Sequence, residues 1–166
     1  HHVIFLIGDF TARIGDPTGK LSARAMLTKE EVQKNAESYI EQAGKILNFK
    51  GENPVEILYN SNWLENLSAM EFLSIAHHLS VQQVVERDMF QERLKKDQDI
   101  YMNEFIYPVM TAYDSVFMDV DLEIGGTDQM FNMLMGRKLM RNMGKKNKFV
   151  LTTPLLTDSE GIKIGK

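Results

Sequence analysis

An α/β fold with parallel strands is what this sequence predicts, and three observations predict it. Residues 3–7 read VIFLI, a continuous β-branched and aromatic run that suits a strand buried on both faces. Short apolar runs of the same kind recur at 55–59, 120–124 and 149–151. Between these runs lie longer stretches with apolar residues every three or four positions, the spacing of amphipathic helices. Strands separated by helices of that length pair in parallel, because the helix is the crossover that returns the chain to the same end of the sheet. The expectation is therefore one parallel sheet flanked by helices.

Each element has a local reason. The first strand stops at Gly8, and a glycine-rich stretch, GDFTARIGDPTGK, follows over residues 8–20. Thr28 and Glu31 have capping-box spacing. Behind them Val32, Ala36, Ile40, Ala43 and Leu47 form one helical face running to about Asn48. KGENP at 50–54 is a turn before the second strand at 55–59. Helical spacing then covers 70–78, 81–95 and 101–116, and the third strand at 120–124 runs into Gly125 and Gly126. A helix over 128–143 ends in basic residues near Gly144, and 149–151 is a last strand. Repeats, low-complexity tracts and linkers are absent from the sequence, which predicts a single domain.

Composition narrows the chemistry. Of 166 residues, 43% are hydrophobic and 25% charged, a globular balance with material for a core. There is no cysteine, so disulfides, thiolate metal sites and cysteine nucleophiles are excluded. The net charge of -4 argues against a DNA-binding surface. No apolar run approaches the ~20 residues of a membrane span, and residues 3–7 are too short for a signal peptide. A cytoplasmic protein is expected. The chain begins inside a strand pattern, at HHVIFLI, and stops at GIKIGK, which reads as a segment of something longer.

Three stretches could carry chemistry. In the first, Gly15 and Gly19 lie too close for a Walker loop, Lys20 is followed by Leu21, and the dinucleotide glycine spacing is absent. What remains is a glycine-rich turn at the carboxyl end of a strand, where open α/β sheets bind ligands. There Asp16 could accept from an ammonium group, and Lys20 and Arg24 could grip a polyphosphate. A sharp turn with solvated charges explains the stretch equally well. In the second, YPVMTAYD at 107–114, helical spacing puts Tyr107, Thr111 and Asp114 on one face, either a polar edge in water or a buried stripe needing partners. In the third, IGGTDQ at 124–129, two glycines allow close backbone approach, Thr127 could cap a helix, and Asp128 and Gln129 could bond a ribose or polar substrate. A plain strand-to-helix turn is the competing reading.

GDFTARIGDPTGK, YPVMTAYD, GGTDQMFN and the terminal KIGK, in this order, resemble tyrosyl-tRNA synthetase, a class I aminoacyl-tRNA synthetase, over essentially all 166 residues. The resemblance implies a Rossmann-like, nucleotide-binding catalytic domain over residues 1–166, truncated at both ends. It also implies a helical connective insertion at about 64–100, through which homodimers form. The implied activity is ATP-dependent activation of tyrosine to tyrosyl-adenylate and transfer to tRNA(Tyr). ATP is a substrate, Mg²⁺ accompanies it, and the protein itself holds no metal. Carried over by position, Asp16 matches the aspartate that holds the tyrosine ammonium, and Tyr107 the tyrosine that bonds the amino group. Asp114 matches the carboxylate that accepts from the phenol, and Gln129 a substrate-site glutamine. Thr11 matches a threonine near ATP, Gly126 and Asp128 ribose contacts, and Lys20 and Arg24 a basic pair near pyrophosphate. Lys163 and Lys166 match the lysines of the KMSKS-type loop, here KIGK.

The family pattern is departed from in three places. The ATP-gripping HIGH tetrapeptide lies upstream in the family and is missing, so the isolated chain is expected to be inactive in adenylate formation. Thr111 stands in the tyrosine subsite where the family usually has glutamine, and the KMSKS-type loop ends at Lys166. Two other readings of the sequence are a degenerate paralogue that binds a tyrosine-like ligand or RNA without catalysis, and a tryptophanyl-tRNA synthetase-like enzyme. Trp63 and most of the eleven methionines are expected to pack the core, and Asn60, just beyond a strand end, to serve a turn ahead of touching the site. His77 and His78 are adjacent on a helix and make no metal site. The basic residues Arg137, Lys138, Arg141, Lys145, Lys146 and Lys148 read as a solvated face, with a tRNA acceptor-stem contact as the second reading.

Overall fold

The structure, a computed structural model, describes residues 1–16, 27–161 and 164. Strand β1 (Ile4–Ile7) passes through Gly8 into α1 (Asp9–Ile14), and α2 (Lys29–Ala43) crosses over to β2 (Glu56–Tyr59). Four short helices follow: α3 (Ser61–Leu64), α4 (Ala69–Ala76), α5 (Val81–Val85) and α6 (Asp88–Lys95). The long helix α7 (Met102–Met118) leads to β3 (Leu122–Gly126), a 3₁₀ turn (Thr127–Gln129), α8 (Met130–Asn142) and β4 (Phe149–Thr153).

Both crossovers return the chain in parallel, as the spacing of strands and helices predicts. β1 pairs with β2 in the register Ile4↔Glu56 to Ile7↔Tyr59, and β3 with β4 from Leu122↔Phe149 to Gly126↔Thr153. The expectation of one sheet is corrected: among the described residues the strands form two separate parallel pairs. Helix α7 joins them by packing on α1 on one side and α8 on the other. The core lies around it, with Ile75, Val84, Phe90, Val109, Ala112, Leu139 and Met140 in one buried cluster.

Four local differences from the sequence reading have physical causes. Residues 9–14, read as loop, form α1. Asp9 at its start and Arg13 at its end complement the helix dipole, and Gly15, at φ +88°, stops it. Long-range bonds hold α1: Asp9 accepts from Ser61 N at 2.9 Å and Ser61 Oγ at 2.6 Å, and Asn60 Oδ1 from Phe10 N at 2.9 Å. Second, the helix expected over 81–95 is broken at Glu86 and Arg87, and Arg87 has the extended backbone of an N-cap. Third, α7 runs to Met118 and ends at Asp119 in the left-handed region, so β3 starts two residues later than its apolar run. Fourth, α8 begins only at Met130, after the 3₁₀ turn, and Gly126 rather than Thr127 takes the turn's cap position without a side-chain cap bond. The Thr28–Glu31 capping box forms as predicted.

Two ion pairs with buried cations link elements of the fold. Arg93 and Glu104, each 2% exposed, bond at 2.7 Å and 3.0 Å and link α6 to α7. Burial pushes the Glu104 carboxyl up, but Arg93 and the Tyr101 N–H outweigh it and hold it below the usual carboxylate range. Lys148 is fully buried, which corrects its assignment to a solvated face. Its Nζ bonds Glu123 Oε2 and, at 2.8 Å, Ser115 Oγ. Burial pulls the Lys148 pKa down while Glu123 opposes the shift. Gly136 makes room for this group: a Cβ there would lie 2.5 Å from Ser115 Oγ and 2.7 Å from Lys148 Nζ. Of the methionines, Met133, Met135 and Met140 are buried, whereas Met70 and Met102 are exposed.

Candidate functional site

The carboxyl end of β1 opens into a cavity of about 430 Å³ between β1, α1 and α2. Thr11, Asp16, Val32, Tyr39 and Tyr107 are among its lining residues. It therefore gathers three sequence-predicted site residues from two motifs far apart in the chain. Position follows from topology: both α1 and the segment after it leave β1 at the strand end where parallel sheets bind ligands.

Asp16 is the centre of the polar constellation. Its Oδ2 accepts from Gln129 Nε2 at 2.9 Å, across 113 positions of sequence. Its Oδ1 lies 3.5 Å from Arg87 Nη2. Gln129 is held in turn, because its Oε1 accepts from Asn132 Nδ2 at 2.8 Å. That bond orients the Gln129 amide so that its nitrogen faces the carboxylate. A carboxylate at a cavity edge, with an amide at one oxygen and a guanidinium near the other, keeps lone pairs that an ammonium group can use.

A second chain of bonds runs beneath the cavity. Asn60 Nδ2 donates to Thr11 Oγ1 at 3.0 Å and to Asp114 Oδ2 at 3.1 Å, and Trp63 Nε1 donates to Asp114 Oδ1 at 2.8 Å. Asp114 is 5% exposed. Burial pushes its carboxyl up to about 7, against the pull of the Asn60 and Trp63 donors. The polar stripe on α7 is thus a buried one at Tyr107 and Asp114 rather than an edge in water. The Thr111 hydroxyl, on the same helix, donates back to Tyr107 O and Pro108 O at 3.2 Å each.

Gly126 and Asp128 sit side by side in the turn after β3. A Cβ on Gly126 would lie 2.7 Å from Asp128 Oδ1 and 2.8 Å from the Leu155 side chain, so those side-chain ends would have to shift to admit one. Lys20, Arg24, Lys163 and Lys166 lie outside the described residues.

Four residues of the site were assigned elsewhere, or not at all, from sequence. Trp63 is buried as expected, and both it and Asn60, read first as a turn residue, donate to Asp114. Their signals were present: Asn60 directly follows a strand end, and a buried indole N–H needs an acceptor. Arg87 and Asn132 carry no local signal.

A family model described as "tRNA synthetases class I (W and Y)" matches residues 1–166. The chain belongs to this family. The tyrosine–tRNA ligase of Francisella tularensis is 47% identical over 163 residues, spanning 98% of this chain and 40% of that relative. The tyrosine–tRNA ligase of Trichormus variabilis is 42% identical, spanning 98% of this chain and 41% of the relative. The chain thus covers about two-fifths of the length of these curated relatives. A C-terminally truncated mitochondrial tyrosyl-tRNA synthetase of Aspergillus nidulans superposes with a TM-score of 0.76 at 25% identity, covering 99% of this chain and 54% of that one. The tyrosyl-tRNA synthetase of Archaeoglobus fulgidus, solved with L-tyrosine, gives 0.71 at 21% identity over 99% of this chain and 48% of its own, a likeness of fold. The chain therefore shares the α/β fold of these solved structures, as its motifs imply.

Proposed function

We propose that this chain is the tyrosine-activating part of a tyrosine–tRNA ligase, which condenses tyrosine with ATP and passes the tyrosyl group to tRNA(Tyr). The observation that carries the reading is the Asp16–Gln129 bond at the cavity shared with Tyr107, in a chain 42% to 47% identical to tyrosine–tRNA ligases.

The chemistry needs no protein nucleophile. The tyrosine carboxylate oxygen attacks the α-phosphorus of ATP, the new C–O–P linkage forms, and the bond to the bridging oxygen breaks as pyrophosphate leaves. Catalysis is then positioning of the two substrates and stabilisation of charge on the leaving group. In this reading Asp16 and Tyr107 receive the ammonium, and Gln129 orients Asp16. Asp114, braced by Asn60 and Trp63, answers the substrate phenol, whose buried hydroxyl would otherwise lack a partner. Thr11 stands near ATP, and Gly126 and Asp128 take the ribose. Lys20, Arg24, Lys163 and Lys166 supply positive charge to the phosphates, and Mg²⁺ enters with ATP as part of the substrate. Exposed Met70, Leu73, Val81 and Leu94 on α4 to α6 support a homodimer through this helical segment.

Isothermal titration with tyrosine, and tyrosine-dependent pyrophosphate exchange, test the reading on a version extended to the full length of the curated relatives. Tyrosine binding and exchange, both resistant to competing tryptophan, are expected. A folded protein that binds no tyrosine would overturn it.

A further inference from the structure

Arg87 stands where helix energetics give no reason for an arginine. It occupies the N-cap of α6, a position that favours Ser, Thr, Asp or Asn, and its side chain makes no cap bond. The side chain turns inward, and the residue is 5% exposed. A guanidinium buried to that degree requires a compensating carboxylate. That partner is Asp16, 3.5 Å away on a segment that follows β1 by nine residues. The plane of the guanidinium is set by two rings, Phe131 with its centroid 5.3 Å from Cζ and Phe90 at 5.9 Å. Burial pulls the Arg87 pKa down, and Asp16 is the foremost group holding it up.

The two oxygens of Asp16 are therefore addressed from different directions. Gln129 donates to Oδ2, and Arg87 stands at Oδ1. Contacts at both oxygens restrict the rotation of the carboxylate, which itself lines the cavity. We infer that Arg87 is a positioning residue for the amino-acid subsite: through the break between α5 and α6, the helical segment reaches back and fixes the Asp16 carboxylate that receives the substrate ammonium. The inference rests on the proposed tyrosine-binding reading and adds a residue that none of the four sequence motifs contains.

The test compares Arg87→Met with Arg87→Lys in the version extended to full length, using pyrophosphate exchange with tyrosine and ATP varied separately. Methionine keeps the length and the packing between Phe90 and Phe131 but removes the charge, whereas lysine keeps the charge and loses the planar fork. Arg87→Met is expected to raise KM for tyrosine about tenfold, with KM for ATP unchanged and kcat much less affected. Arg87→Lys is expected to recover part of that loss. A tyrosine KM unchanged in Arg87→Met overturns the inference, as does methionine matching or exceeding lysine, or an equal rise in KM for both substrates. Should Arg87→Met fail to fold, Phe131→Leu, which removes one wall of the guanidinium slot, must raise KM for tyrosine alone, and an unchanged value overturns the inference. Absence of tyrosine-dependent exchange in the unsubstituted protein would instead strike the functional reading itself.

Discussion

Replacing Asp114 with asparagine should remove a pH dependence from the stability of this chain. The Asp114 carboxyl, 5% exposed, is raised by burial from 3.8 to about 7 in the folded state. In the unfolded chain it returns to the ordinary aspartate range of about 3.9. Between these values the folded state holds a proton that the unfolded state has released. The sign follows: this group's contribution to stability is present at low pH and is lost as pH rises toward the folded pKa. From about pH 5 to about 7 the folded group keeps a proton that the unfolded group has released, at ~1.4 kcal/mol per pH unit, so about 3 kcal/mol is lost by about pH 8. Asparagine does not titrate. It does carry a constant cost, because its amide nitrogen would face the Asn60 Nδ2 donor, and Asn60 Oδ1 already accepts from Phe10 N. Urea unfolding of both proteins at about pH 5 and about pH 8 separates the constant cost from the slope. The unsubstituted chain should lose about 3 kcal/mol more than the variant across that range. Parallel pH profiles, or a slope of opposite sign, would refute the burial argument for Asp114.

Gly136→Ala should destabilise the chain. Helix interiors ordinarily favour alanine over glycine by about 1 kcal/mol, but here the added methyl meets Ser115 Oγ and Lys148 Nζ inside normal contact distance. Overpacking of about 1–3 kcal/mol and strain on the Lys148–Glu123 pair should outweigh the gain, and a higher melting temperature would refute this. Gln129→Leu removes the amide donor to Asp16 and should weaken tyrosine binding by about tenfold with little change in melting temperature, read by calorimetry.

Much of the backbone was legible because its causes are local. The apolar runs at 3–7 and 55–59 and the Thr28–Glu31 box act through neighbours in sequence, and they formed where expected. α1 was missed because its support comes from Ser61 and Asn60, about fifty residues away. The break at Arg87 was missed because no local spacing marks it, and the carboxylate that Arg87 meets lies on another element. Lys148 looked like one more solvated cation; Glu123 and Ser115, brought to it by the β3–β4 pairing, permit its burial.

The residue types of the site were visible in the four motifs, as was the parallel sense of strand pairing, since crossover length and strand hydrophobicity are properties of the linear chain. The partner each polar group meets was not visible. Asp16 finds Gln129 and Arg87, and Asp114 finds Asn60 and Trp63, only when α7 packs against α1 and α8 and the tertiary structure draws those groups out of water. Desolvation decides both which carboxylate is raised and which arginine must be paired, and desolvation is a property of the packed molecule rather than of any stretch of it.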